Sequence, residues 1–260
     1  MPVYALRIEY DGSRYVGWQR QPNGPSIQGL LEEALATILR QPVAVVGAGR
    51  TDAGVHAREQ VAHFQLEKPL QVRRLLAALN GLLPRDVRVW AAAEAPEGFH
   101  ARYSAIRRTY RYYLSTVPAA LDRTQSWFVP HRLDWDRMQE AGLALPGEHD
   151  FRSFCRSADL PTRSRCLVYA ARWCAHPLWP HRWYFEITAN RFLRGMVRLL
   201  VGTFVEIGRG RLPVEILRCY LEEPQRHKAR YAAPAHGLVL ESVEYGEELP
   251  WVYAGASGVR

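Results

Sequence analysis

The sequence predicts an α+β protein in which the element order β-α-β-β-α-β occurs twice. Three observations lead there. Short segments alternate apolar and polar residues with period two, as in Tyr4-Ala5-Leu6-Arg7-Ile8-Glu9-Tyr10, and read as strands. Between them lie longer segments with apolar residues three and four apart, which read as helices. The chain is also long enough, at 260 residues with 48% hydrophobic, for one or two domains with a real core.

The first strand covers Tyr4–Tyr10 and turns at Asp11-Gly12. Ser26 caps a helix running to about Leu39, with Leu30, Leu31, Ala34, Leu35 and Ile38 as its apolar stripe. Val43–Val46 reads as a strand leading into a glycine-rich loop, and Gln60–Leu66 as another. A helix over about 70–82 stops at Pro84, and a strand follows at Asp86–Ala93. This order is that of the ferredoxin-like unit. The second half offers a strand at Arg108–Thr116 and a helix at Asp134–Leu145 capped by Asp134. A polar loop at Glu148–Pro161 follows, then strands at Cys166–Ala175 and Arg182–Ala189. A long helix at Phe192–Gly208, a short one at Pro213–Glu222 and a strand at Leu238–Tyr245 complete it. The halves share order, not sequence. Residues after Glu247 read as a loose tail. The expected division is 1–104, 105–247 and a tail over 248–260.

No apolar run reaches the length of a membrane span, and the amino-terminal segment alternates like a strand rather than a signal peptide. A soluble, cytoplasmic protein is expected. Cys155, Cys166, Cys174 and Cys219 form no C-x-x-C pair and no zinc spacing, so they read as free, buried thiols and no metal is expected. The net charge is +8, and all but Lys68 and Lys228 of the 34 basic side chains are arginine. Guanidinium groups grip phosphate bidentately and stack on bases, which favours a polyanionic partner.

The loop Gly47-Ala48-Gly49-Arg50-Thr51-Asp52-Ala53-Gly54-Val55-His56-Ala57 surrounds one carboxylate with small residues. Two phosphate-binding readings fail on their own chemistry. A dinucleotide fingerprint would need glycine where Asp52 stands, and a P-loop would need lysine and a hydroxyl where Val55-His56 stands. Asp52 is then either a turn aspartate bonded to its own backbone or a reactive carboxylate. In the second case it needs a cation to stay ionised inside a substrate cleft. Arg191, Arg194 and Arg198, read on one helix, fall within about 60° of each other at 100° per residue. The rest of that helix is apolar, and Arg198 stands where the arginine face turns apolar. The strand Arg107-Arg108-Thr109-Tyr110-Arg111-Tyr112-Tyr113 interleaves guanidinium groups with rings, a pattern suited to stacking on an unpaired base or to an aromatic core strand.

These residues taken together resemble the TruA family of tRNA pseudouridine synthases, which modify the anticodon stem and loop. The resemblance covers nearly the whole chain. It rests on Tyr10-Asp11-Gly12, Gly17-Trp18-Gln19, Gly49 to Ala57, Phe99-His100-Ala101-Arg102 and Tyr110-Arg111-Tyr112. It continues through Asp150-Phe151, Ser153-Phe154, Phe192-Leu193, Met196-Val197-Arg198 and Gly237-Leu238. The resemblance implies two ferredoxin-like halves joined through one continuous, mainly antiparallel sheet with a cleft between them. It implies that Asp52 is the catalytic aspartate, that Arg198 pairs with it, and that Tyr110 stacks on the flipped uracil. Leu238 would pack in the pocket and Arg50 would hold the flipped nucleotide's place or its phosphate. Further RNA contacts are expected from Arg58, Arg102, Arg108, Arg191 and Arg194. The implied partners are tRNA and a second copy of the chain, with no cofactor, metal or nucleotide. A tRNA-binding module without catalysis is the alternative reading.

Overall fold

The computed structural model describes residues 1–156 and 164–255. It is mixed α+β, with an open, mainly antiparallel β-sheet. The chain divides into two compact units, 1–106 with 240–260, and 107–239. Among the described residues, no helix is long and apolar enough to cross a membrane.

In the first unit, β1 (Val3–Tyr10) is the central strand. It pairs antiparallel with β3 (His56–Gln65) and β4 (Val87–Ala95), so Leu6 faces Ala62 on one side and Ala92 on the other. Tyr4, Leu6, Ile8 and Tyr10 bury one face of it. Helix α1 (Ile27–Leu39) starts because the Ser26 hydroxyl accepts the Gly29 amide, as expected. It ends at Arg40, which adopts a left-handed conformation. Helix α2 (Val72–Leu82) buries Leu75, Leu76 and Leu79. The expected strand at Val43–Val46 is only β2 (Val46–Gly47), paired with His63 and Ala62 of β3. The run before it is buried at Val43 and Val45 but lies outside any ladder.

The second unit contains β5 (Ala105–Ser115), β6 (Trp127–Phe128), α3 (Trp135–Gly142), β7 (Gly147–Asp150), β8 (Arg165–Ala175), β9 (Arg182–Ala189), α4 (Met196–Gly208) and α5 (Ile216–Glu222). Strand order is β5-β9-β8-β7. Asp134 caps α3 as predicted, accepting the Arg137 amide. Trp173, Phe185 and Phe204 form the aromatic centre, with ring centroids 4.9–5.6 Å apart. Between them they join strand to helix and bury large apolar area.

Four expectations need correcting. The polar stretch 148–161 is not all loop: β7 and a 3-10 turn over Arg152–Phe154 occupy its beginning. Its end lies outside the described residues. The long helix begins at Met196, not Phe192, because Gly195 has φ 73, a left-handed conformation that stops the helical run. A Cβ there would also strike the Arg156 side chain. The tail is not loose throughout. Strand β10 (Leu238–Tyr245) has the expected bounds and lies beside β3, and β11 (Val252–Tyr253) then pairs with β4. The Arg7 guanidinium sits 4.4 Å from the Trp251 ring and 5.3 Å from that of Trp90. Residues 256–260 lie outside the described residues. Finally, the four thiols are free, but only Cys155 and Cys166 are buried; Cys174 is half-buried and Cys219 exposed.

Candidate active site

The Asp52 loop is a clamped piece of backbone. It leaves β2 under Trp18, whose ring would lie 2.5–2.7 Å from any Cβ added to Gly47, so that position has no room for a side chain. The Ala48 amide donates to the Val61 carbonyl, and the Gln60 side chain donates to the Gly49 carbonyl. The Thr51 hydroxyl shares a 2.8 Å hydrogen bond with the Tyr10 hydroxyl. Burial pushes the Tyr10 phenol up to about 12, so it stays protonated through the neutral range.

A second segment holds the loop from the other side. The Trp18 amide donates to the Thr51 carbonyl, Gly17 bridges Asp52, and the Gly54 amide donates to the Tyr15 carbonyl. The Val55 amide closes a turn onto the Asp52 carbonyl. Gly54 completes that turn at φ 77. Buried His56 anchors the far end: its Nδ1 accepts the Gly12 amide at 3.1 Å and lies 3.1 Å from an Asp11 carboxylate oxygen. Burial would raise the Asp11 carboxyl, but it is held below its usual value, with hydrogen bonds from Ser13 first among the causes. Asp11-Gly12, read as a turn and a motif match, and Gly17-Trp18, read as a motif match, are thus the seat of the loop. The signal for them was the glycines themselves. A Cβ on Gly12 would collide with the Val55 carbonyl, and Gly17 has φ 106. Asp52 is held half-buried, with Thr51 buried before it and Arg50 and Ala53 exposed around it.

The second unit carries Tyr110, Arg198 and Leu238. Tyr110 and Tyr112 share the buried face of β5, at 8% and 0% exposure. The Tyr110 ring meets Phe192 edge-on at 5.0 Å. Every residue of α4 is buried except Arg198, which is half-buried. Its Nε donates to the Ala233 carbonyl at 2.8 Å, and the Ala233 amide donates back to the Arg198 carbonyl at 2.9 Å. The guanidinium is therefore aimed by the backbone of the 231–234 segment. That segment lies so close to the helix that a Cβ on Gly202 would strike the Tyr231 carbonyl. Burial drives the Tyr112 phenol well up, only partly offset by Arg198, and it donates to the Pro234 carbonyl. Gly237 leaves space for the Tyr112 ring, and Leu238 follows it, 6% exposed.

The arginines differ in setting. Arg58 is exposed on β3, with Glu241 at 3.4 Å. Arg102 is exposed beside the Tyr103 ring. Arg108 is 9% exposed and donates to the Asn190 carbonyl at 2.7 Å. Arg191 and Arg194 precede α4, so they do not share a helical face with Arg198. Among the described residues no group of three or more His, Cys, Asp and Glu could hold a metal. A cavity of about 420 Å³ between Trp127, His131, Glu206, Arg209 and Tyr231 contains neither Tyr110 nor Arg198.

Residues 7–104 and 141–246 match the sequence model of the tRNA pseudouridine synthase family. A tRNA pseudouridine synthase A from Porphyromonas gingivalis is 44% identical over 252 residues, covering 96% of this chain and 99% of its own. The protein of that name from Bacteroides fragilis is also 44% identical, over 95% of this chain and 97% of its own. The one from Moorella thermoacetica is 44% identical over 94% and 100%. With a family match over most of its length and relatives this similar end to end, the chain belongs to the tRNA pseudouridine synthase A family.

Proposed function

We propose that this chain isomerises uridine to pseudouridine in tRNA, at the anticodon stem and loop, with positions 38 to 40 as the family precedent. The observation that carries the reading is the clamped loop. A single half-buried carboxylate, Asp52, is presented by a backbone held at Ala48, Thr51, Asp52, Gly54 and Val55. A turn aspartate serving only its own loop needs no such seat, whereas a reacting carboxylate does, since about 1 Å of misplacement costs on the order of 10²-fold in rate.

The reaction breaks the C1′–N1 bond, rotates the uracil and forms a C1′–C5 bond. The C5 proton goes to solvent and N1 gains one. The target nucleotide must first leave its stack, at a cost of a few kcal/mol that phosphate contacts offset. Asp52 either attacks as a nucleophile or removes the 2′ proton as a base. Arg198 of the second unit supplies its counter-charge and Tyr110 a ring for the detached uracil. Leu238 lines the base pocket with apolar surface and Arg50 takes the vacated place or its phosphate. Arg58, Arg102, Arg108, Arg191 and Arg194 serve the RNA backbone. The protein works in the cytoplasm as a homodimer without cofactor. The rival, a binding module without catalysis, has no support from relatives that carry the enzyme's name.

Incubation with an unmodified tRNA transcript carrying 5-tritiated uridine tests this. Tritium release and pseudouridine at positions 38 to 40 are expected, with Asp52→Asn binding the tRNA but releasing none. Turnover by that variant would remove Asp52 from its role. A primary isotope effect from 2′-deuterated uridine separates the base route from the nucleophile route.

A further inference from the structure

Three rings of the first unit form a column that runs from the catalytic loop's base to the surface. His63 of β3 lies 4.6 Å from His100, centroid to centroid, and His100 lies 4.3 Å from Tyr103. The inner end is fixed. His63 is buried, and its strand pairs with Val46 where the Asp52 loop departs. Its Nδ1 accepts the Ala101 amide at 3.2 Å. His100 is fixed too, with Nδ1 accepting the Arg102 and Tyr103 amides at 3.2 and 3.3 Å. Burial, then His100, lowers the His63 pKa. The turn is pinned by the Tyr245 hydroxyl on the Ala101 carbonyl and by Ser104, whose amide and hydroxyl both bond His100.

The outer end of the column is different. Tyr103 is 77% exposed, while the rest of its turn is tied down. Its ring is thus held open to solvent on a fixed support. Beside it stands exposed Arg102, whose guanidinium carbon is 5.8 Å from the ring centroid. An exposed aromatic ring with a guanidinium 5.8 Å from its centroid suits one chemistry well: an unpaired base stacked against the ring, its phosphate taken by the cation. The chain's net charge of +8 agrees with an anionic partner.

We infer that Tyr103 is a stacking platform for an unpaired base of the tRNA, distinct from the uridine being isomerised, with Arg102 on the adjoining phosphate. The inference rests on the proposed function in taking tRNA as the ligand. Because the column stands on His63 beside Val46, the stacked base positions the RNA on the element that carries Asp52.

Equilibrium binding of unmodified tRNA to the full chain, measured across a salt series, tests this. Tyr103→Ala and Tyr103→Leu should each weaken binding by about 5- to 150-fold, the range for one lost base–aromatic stack. Tyr103→Phe should bind like the parent. The salt dependence of the two weakened variants should keep its slope, because no phosphate contact is lost. Arg102→Gln should instead reduce that slope by about one. A merely structural tyrosine would tolerate leucine, which keeps the bulk and loses only the π face. Unchanged binding by Tyr103→Leu overturns the platform. If the parent binds tRNA in this pattern but forms no pseudouridine, the proposed function fails and the platform stands. If the parent does not bind tRNA, both fall.

Discussion

Replacing Gly17 with alanine tests whether the seat under the Asp52 loop sets the rate. Gly17 has φ 106, where an L side chain is strained by about 1–3 kcal/mol. Its new methyl would lie 2.5 Å from the Thr51 carbonyl oxygen and 3.0 Å from the Asp52 carbonyl carbon. Ordinary contact begins at 3.4 Å, so the loop must recede by about 0.9 Å, the difference of the two distances. The atoms in the way are backbone of Thr51, Asp52 and Ala53, so no side chain can swing aside instead. A shift of about 1 Å at a reacting group costs on the order of 10²-fold in turnover. Gly17→Ala should therefore lose about 1–3 kcal/mol in urea unfolding and about 100-fold in tritium release at saturating tRNA. Gly49→Ala is the matched control for stability. It lies in the same loop, but no atom comes within 4 Å of its added Cβ, and its unfolding free energy should stay within about 0.5 kcal/mol of the parent's. Turnover by Gly17→Ala within threefold of the parent would refute the claim that the seat positions the carboxylate.

Three further outcomes are expected. Arg198→Lys keeps the charge but loses the Nε donor to Ala233 and the planar fork, so turnover should fall more than about tenfold; full activity would show that a point charge suffices. Glu186 accepts from both Arg111 and Arg172 at 2.6–3.1 Å, and although its burial acts to raise the carboxyl, these bonds hold it below 4.5. A folded-state value below the unfolded one means the stability it contributes is present above pH 4.5 and is lost as pH falls through the folded value. Urea unfolding should therefore show a weaker acid-side loss in Glu186→Gln than in the parent, and identical acid limbs would count against the pairing. Trp251→Ala strips one ring from the Arg7 guanidinium and should lower the unfolding free energy by about 1–2 kcal/mol, checked by the same denaturation; no change would mean the carboxy-terminal segment is not fastened there.

Much of this protein was legible before any tertiary information. Strand β10 has its expected ends, and Ser26 and Asp134 cap their helices as their residue types demand. Tyr110 and Tyr112 fall on one face of β5 and are both buried. Asp52 stood out because glycine and lysine chemistry was missing where phosphate loops require it. All of these depend on neighbours two to four positions away, which is the range over which periodicity and capping act. The misreadings share the opposite property. Gly195 lies in a run that looks helical, and only its packing against Arg156 and its positive φ end the helix pattern there. The tail looks unstructured until β4 is present to pair with Val252 and Tyr253.

The sequence by itself determined most of the elements and the family, and it singled out Asp52 as the candidate carboxylate, because those reside in local pattern and in motif residues. Only the tertiary structure decided why the motif glycines at 12, 17, 47 and 237 must be glycines. Each lies against backbone or a ring tens of residues away, and no local rule sees that approach. The structure also decided that Arg198 is aimed by Ala233 and that Tyr103 caps a column standing on His63. Such contacts join residues 35 to 40 positions apart, and steric exclusion and hydrogen bonding act across that gap only once the chain has folded.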